Sequence, residues 1–207
     1  PENVEIIQNQ MGNNNNETEH LESNDNETAL ISAAQNGHLD TVNNCIKAGA
    51  NVNQADGYGA TALMRAAESG HLDVVSRLID AGANVNLANN NGETALLAAA
   101  AYGRLEIVNN LIEAGADVDK AENYGTTPLL IAAVTGDEKI LTALIESRVN
   151  VDHADDYGVT ALMAAAAKGQ LGAIRVLIDN NADYNAIYNA ISKEGKSAKD
   201  YLTEEVS

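Results

Sequence analysis

The stretch that decides the fold is "GATALMRAAESGHLD" at residues 59–73, because the chain repeats this phrase with small changes. It returns as "GETALLAAAAYGRLE" at 92–106, "GTTPLLIAAVTGDEK" at 125–139 and "GVTALMAAAAKGQLG" at 158–172, and it first occurs as "NETALISAAQNGHLD" at 26–40. A constant interval of 33 residues separates the threonines that open the phrase, Thr28, Thr61, Thr94, Thr127 and Thr160. A fixed period between about 20 and 50 residues is typical of a stacked repeat array.

The local signals within one period predict two helices followed by a loop. Thr61 is a good N-cap, since its hydroxyl can accept a backbone N–H that has no partner inside the helix, and the equivalent threonines open the other copies. A first helix then runs to Gly70, a residue type that favours helix ends. A second helix is predicted over Leu72–Ala81 from its apolar residues at helical spacing. Turn-forming residues fill 83–93, so we expect a hairpin-like loop between successive helix pairs.

The fourth copy departs from this pattern at two positions. The second helix of copies one to three ends at Gly49, Gly82 or Gly115, whereas copy four has Arg148 there. A side chain in a left-handed helix cap costs on the order of 1 kcal/mol relative to glycine. Glu138 also stands where the other copies have leucine. We therefore expect the fourth copy to be the least stable layer.

Composition and charge exclude several classes of function. Hydrophobic residues make up 45% of the 207 residues but aromatic residues only 3%, so small aliphatic side chains must form the core in thin layers. The net charge of −18 disfavours nucleic acid and anionic membrane surfaces as partners, and it favours a basic or mixed-charge protein. No apolar run approaches the roughly 20 residues of a membrane-spanning helix.

Residues that could support catalysis or metal binding do not form a convincing site. The acidic segment "DHADDYG" at 152–158 lacks the spacing of a calcium loop and is interpreted as a solvated loop tip. His38 and His71 recur with the period, which indicates hydrogen bonding in the turn. The single cysteine, Cys45, occupies the position of a leucine in the other copies and is predicted to be a buried thiol. We therefore predict no catalytic, cofactor-binding or metal-binding residues.

The segment "TALMRAAESGHLDVVSRLIDAGANVN" at 61–86 resembles the ankyrin repeat family nearly throughout. The resemblance implies an all-α repeat solenoid, a curved stack of paired helices with projecting loops, which in that family binds proteins. The family's histidine in Thr-Pro-Leu-His is replaced by apolar residues, so apolar packing is expected in place of its hydrogen bond. These residues are Ile31, Met64, Leu97, Leu130 and Met163.

The expected organisation has three parts. Residues 1–23 form a polar, flexible Asn- and Glu-rich leader, residues 24–194 form five repeats, and residues 195–207 form a capping helix of a partial sixth repeat after a four-residue insertion in 183–195. We expect a monomer. The compartment is open: cytoplasmic by default, or periplasmic or secreted if a leader before Pro1 has been removed.

Positions that differ between copies of a repeat array carry its function. The first such set is the tip of the loop before each phrase, which carries a tyrosine in three of the copies. The second set is the outward-facing stripe of each first helix, which is polar in copies one and two and apolar in the later copies. Exposed tyrosine is a strong interface former. The sequence leaves open that the apolar stripe only packs between helices and that the tyrosines only steady their hairpins. The candidate partner-binding residues are Tyr58, Arg65, Glu68, Asn91, Ala98, Ala101, Tyr102, Tyr124, Ile131, Val134, Asp156 and Tyr157.

The favoured function is a non-enzymatic module that binds a partner protein through its concave face and loop tips. The alternative is an inhibitor or immunity protein that uses the same loops to cover the active site of a partner enzyme. A third possibility is an enzyme with an unfamiliar carboxylate site, although no nucleophile, base and orienting group recur together.

Overall fold

A computed structural model describes residues 26–183, which form five successive pairs of helices. The first pair consists of α1 over 26–35 and α2 over Leu39–Lys47. The other pairs are α3 (Ala62–Ser69) with α4 (Leu72–Asp80), α5 (Ala95–Ala101) with α6 (Leu105–Glu113), α7 (Pro128–Thr135) with α8 (Glu138–Glu146), and α9 (Ala161–Ala167) with α10 (Leu171–Asp179). The predicted all-α repeat architecture is thus confirmed. The expected leader at 1–23 and capping helix at 195–207 lie outside the described residues.

Threonine caps begin the first helix of repeats two to five. An antiparallel bridge between Ala55 and Thr61 holds the threonine extended, and its Oγ1 then accepts a hydrogen bond from the N–H of Met64 at 3.4 Å. The first repeat differs from the expectation, because residues 26–35 are already helical and Thr28 lies inside α1. The same cap bond forms in the later repeats at Thr94, Thr127 and Thr160.

The core consists of two layers of helices. The first helices α3, α5, α7 and α9 pack side by side through fully buried alanines such as Ala66 and Ala99, whose small side chains let the helices approach closely. The second helices α4, α6, α8 and α10 each bury one leucine completely at the equivalent position, and Cys45 is buried there in α2, as predicted. Full burial of one leucine contributes about 1.5–3 kcal/mol. Stability is therefore distributed over similar layers.

The second helices of the last two repeats end without glycine. Arg148 has φ 62°, so the predicted left-handed conformation is confirmed, and Asn181 has φ 65° at the same place in repeat five. Asparagine tolerates this region better than arginine does. The other unusual residue of repeat four, Glu138, is accommodated by its neighbour: a Cβ at Gly172 would overlap the Glu138 carboxylate, and glycine leaves that space free.

A ladder of side-chain hydrogen bonds joins neighbouring repeats beside the loops. Oδ1 of Asn53 accepts from the N–H of Asn84 in the next repeat at 2.7 Å. Because this acceptor stands in every repeat as Asn or Asp, the bond recurs with the period. The later donor and acceptor pairs, each at 2.8 Å, are Asp117 with Asn86, Asn150 with Asp119, and Asp183 with Asp152.

Candidate functional site

Each hairpin loop between repeats forms a projecting finger that is closed by its own side chain. In the first finger, Oδ1 of Asp56 accepts from the N–H of Tyr58 at 2.9 Å and of Ala60 at 3.0 Å. These two bonds turn the chain and leave Tyr58 at the tip. The same closure is made by Asn89 in the second finger and Asp155 in the fourth. We call the loops at 54–60, 87–93, 120–126 and 153–159 fingers one to four.

The finger tips are joined in a row by backbone hydrogen bonds. The N–H of Asn90 donates to the carbonyl of Tyr58 at 3.0 Å, and the N–H of Asp156 donates to the carbonyl of Tyr124, also at 3.0 Å. The equivalent bond from Asn123 to Asn91 measures 2.9 Å. The tip residues therefore follow one another in the order Tyr58, Asn91, Tyr124 and Tyr157.

Four tyrosines from the sequence prediction are exposed on this part of the molecule. Tyr58 is 75% exposed, Tyr124 63% and Tyr157 77% at the finger tips, and Tyr102, at the end of α5, is 55% exposed. Within the described chain, large apolar side chains are otherwise exposed only at Leu171 and Ile178 in α10. Exposed aromatic area is thus concentrated on the fingers and the adjoining first helices, which together we call the inner surface.

A chain of polar contacts crosses the inner surface between repeats two and three. Nη2 of Arg65 donates to Oδ2 of Asp56 in finger one at 2.7 Å, and Nη1 of the same side chain donates to Oε2 of Glu68 at 3.4 Å. The hydroxyl of Tyr102 donates to Oε1 of Glu68 at 3.2 Å. The structure therefore brings three predicted site residues, Arg65, Glu68 and Tyr102, into one network with Asp56.

The network shifts the proton affinities of its members. Burial by itself raises the pKa of Asp56, but the hydrogen bonds from Arg65, Ala60 and Tyr58 outweigh it and lower that pKa below its ordinary value. The hydrogen bond to Asp56 is the largest cause of the raised pKa of Arg65. The hydrogen bond to Glu68, with the charge of that carboxylate, raises the pKa of Tyr102. At neutral pH Arg65 and Asp56 therefore form a charged pair, and the phenol of Tyr102 is protonated.

The inner surface over repeats three to five is less polar. Ala101 is exposed, whereas Ala98, Ile131 and Val134 are half-buried, and Ile131 packs against the core. The apolar stripe predicted from the sequence therefore serves partly as packing, and the exposed apolar area comes mainly from the tyrosines beside it. Asp156 is exposed, and its carboxylate forms no hydrogen bond or ion pair within residues 26–183.

Sequence reasoning missed contacts that cross repeat boundaries. Nε2 of His71 bonds the carbonyl of Gln35 in the preceding repeat at 3.1 Å, so this histidine does not act only within its own turn. Nε2 of His153 likewise bonds the carbonyl of Gly125 at 3.0 Å. Asp56 was also missed, although an isolated arginine in the stripe, Arg65, could have suggested a nearby carboxylate.

Neither a cluster of metal-ligating residues nor a membrane-spanning helix is found within residues 26–183. Residues 26–183 contain no group of three or more His, Cys, Asp or Glu placed to hold a metal ion. None of the helices in that range is both long and apolar enough to cross a bilayer. A groove of about 370 Å³ lies between α1 and finger one, bordered by the polar side chains of Ser32, Gln35, Gln54 and Asp56. It forms the first part of the inner surface.

A comparison with models of protein families gives a match. A family model described as "Ankyrin repeats (3 copies)" matches three overlapping stretches of the chain, residues 2–89, 30–122 and 97–188. These stretches cover well over half of the sequence and include all five helix pairs. No curated protein matches the chain.

Proposed function

The chain belongs to the ankyrin repeat family, and on that premise we propose that it is a non-enzymatic module that binds a partner protein on its concave face. Ankyrin repeats are generally protein–protein interaction modules, and we assign the concave face that the family implies to the inner surface defined above. The partner contacts are assigned to the twelve candidate residues of the fingers and the first helices.

The observation that carries this proposal is the exposure of four tyrosines on one surface. Burying a tyrosine at an interface removes a large ring from water and lets its hydroxyl pair with the partner. A folded chain gains nothing for its own core from tip side chains as exposed as Tyr58 and Tyr157. The inner surface therefore has the aromatic residues on which interface energy is usually concentrated.

Charge supports a basic or mixed-charge partner. The chain carries a net charge of −18, and the carboxylate of Asp156, beside the tip residues Tyr124 and Tyr157, has no hydrogen bond or ion pair within residues 26–183. A positively charged partner would be steered toward this surface, and the effect would weaken as salt screens it. The expected signature is an association rate that falls with ionic strength while the dissociation rate changes less.

The experiment is a site-directed photocrosslink followed by a triple substitution. A photoreactive residue at position 124 should capture a protein from the source cell that the same residue at position 106, on the exposed side of α6, does not capture. The captured protein is then purified and its affinity measured. Replacing Tyr102, Tyr124 and Tyr157 together by alanine should weaken binding at least about 30-fold, because truncating a buried interface tyrosine often costs about 2 kcal/mol.

The melting temperature of the triple variant is the control. It should equal that of the unmodified chain, because all three side chains are exposed. Binding that survives the triple change, or equal capture from position 106, would place the partner elsewhere and refute the proposal. If the captured protein is an enzyme, loss of its activity on binding would favour an inhibitor or immunity protein over a tether.

A further inference from the structure

We propose that Arg65 and Glu68 are positioning residues that fix the ring of Tyr102, and that this ring is the contact offered by repeats two and three. The inference rests on the proposed function for its second half, because it assumes a partner on the inner surface. Its first half concerns the free protein alone. It reassigns two of the twelve candidate residues from contacting the partner to orienting a neighbour.

The guanidinium of Arg65 is already committed. It donates to Asp56 at 2.7 Å and to Glu68 at 3.4 Å, and the side chain is only 23% exposed. A partner carboxylate that approached this group would have to displace two carboxylates of the chain itself. Arg65 is therefore poorly suited to attract an acidic partner.

Both oxygens of Glu68 are committed as well. Oε2 accepts a hydrogen bond from Arg65. Oε1 accepts one at 3.2 Å from the hydroxyl of Tyr102, a residue 34 positions further along the chain in the next repeat. Since a carboxylate is planar, fixing one oxygen orients the other. Arg65 thus orients the carboxylate of Glu68, which accepts the hydrogen bond from Tyr102. The ion pair with Asp56 fixes Arg65 to finger one.

Tyr102 differs in this respect from the tip tyrosines. The hydroxyls of Tyr58, Tyr124 and Tyr157 form no hydrogen bond within residues 26–183, whereas that of Tyr102 is held by Glu68. What Tyr102 offers a partner is its ring face, since the proton of its hydroxyl is already donated to Glu68. Ordering a free side chain on binding weakens association, and a ring that is already ordered avoids that loss.

The first test needs no partner. Tyrosine labelled with ¹³C at Cζ is followed by NMR through an alkaline titration, and Tyr102→Phe identifies the signal of Tyr102. We expect this phenol to ionise at higher pH than free tyrosine in the same buffer, and Glu68→Ala to lower the pH at which it ionises, because the carboxylate stabilises the protonated phenol. Glu106→Ala, with the same change of charge on α6, should leave the titration unchanged. Ionisation of Tyr102 at the pH of free tyrosine in the unmodified chain, or no response to Glu68→Ala, would overturn the positioning role.

The second test is a double-mutant cycle with the captured partner. Glu68→Ala, Tyr102→Phe and Arg65→Met should each weaken binding about 3- to 10-fold, the loss expected when one side chain must be ordered on association. Combining any two should add nothing further, because all three break the same chain of contacts. Additive losses for Arg65 or Glu68 would mean that they contact the partner directly, and would overturn the inference.

The two proposals fail differently. If the NMR response is as expected but Tyr102→Ala leaves binding unchanged, the contact assigned to Tyr102 is wrong while the positioning network stands. If the triple tyrosine variant also binds normally, the proposed function itself is wrong. If the NMR response is absent while the triple variant loses binding, only the positioning inference fails.

Discussion

Repeats two and three carry a different inner surface from repeats four and five on nearly the same scaffold. In the first pair, a polar network runs from Asp56 in finger one to Tyr102 in α5. In the second pair, Ile131 and Val134 replace those polar groups, and Asp156 beside Tyr157 has no side-chain partner among the described residues. The buried layers beneath are alike in all four repeats, since one leucine each in α4, α6, α8 and α10 is fully buried at the equivalent position.

The comparison shows that stability and recognition occupy separate positions of the 33-residue unit. Buried alanines, leucines and capping threonines repeat because each layer meets the same neighbours. Tip and stripe positions are exposed or half-buried and can change without disturbing that packing. A second contrast lies in the helix ends, where Gly82 and Gly115 in repeats two and three give way to Arg148 and Asn181.

The largest expected effect tests whether the two halves share one core. Leu111→Ala in repeat three and Leu144→Ala in repeat four should each reduce the free energy of unfolding by about 2–5 kcal/mol, because both side chains are fully buried and both changes leave a cavity. Urea unfolding followed by circular dichroism measures the effect, and Glu106→Ala on the exposed side of α6 is the control. A cost at Leu144 far below that at Leu111 would show that repeat four contributes little to the cooperative core.

A smaller loss of stability should distinguish finger one from finger four. Asp56→Asn keeps the Oδ1 that closes the finger, as Asn89 does naturally, but it loses the charged contact with Arg65. We expect about 1 kcal/mol of destabilisation at neutral pH. Asp155→Asn in finger four, where Oδ1 accepts only backbone N–H groups, should cost less.

The difference in stability between the unmodified chain and Asp56→Asn should depend on pH in a definite direction. Because the pKa of Asp56 in the folded chain lies below its ordinary value of 3.8, its stabilising effect is complete well above pH 3.8 and disappears as the pH falls through the folded pKa. The unmodified chain and Asp56→Asn should therefore converge in stability in acid, as measured by thermal melts at each pH. A gap that persists under acidic conditions would show that the carboxylate charge is not responsible.

The smallest expected effect concerns the helix ends. Arg148→Gly should raise the melting temperature by about 1–2 °C, because relief of the left-handed conformation outweighs the added freedom of glycine in the unfolded chain. A Cβ at the equivalent Gly82 and Gly115 would meet open space, so the strain at Arg148 is conformational and not steric crowding. Arg148→Ala keeps the Cβ and should give no gain. If alanine stabilises as much as glycine, the arginine side chain and not its backbone is the cause.

Some features of the site were predictable because they depend on residues close in sequence. Thr61 reaches a backbone N–H only three residues away, and Arg148 repeats a position filled by glycine in copies one to three. Exposure of the tip tyrosines also followed, since a loop tip has few neighbours. Thr28 was the exception, since it lies inside α1 and not at the start of the helix.

The sequence by itself determined the period, the helix pairs, the two layers and the positions that vary, since these follow from local propensity and from repetition of one unit. Only the tertiary structure decided which variable residues act together. Glu68 meets Tyr102 across 34 residues, and His71 meets Gln35 across 36. Such pairs depend on how one repeat is rotated against the next and on which rotamers the packing allows. The spacing of residues along the chain gives neither the rotation between repeats nor the rotamers.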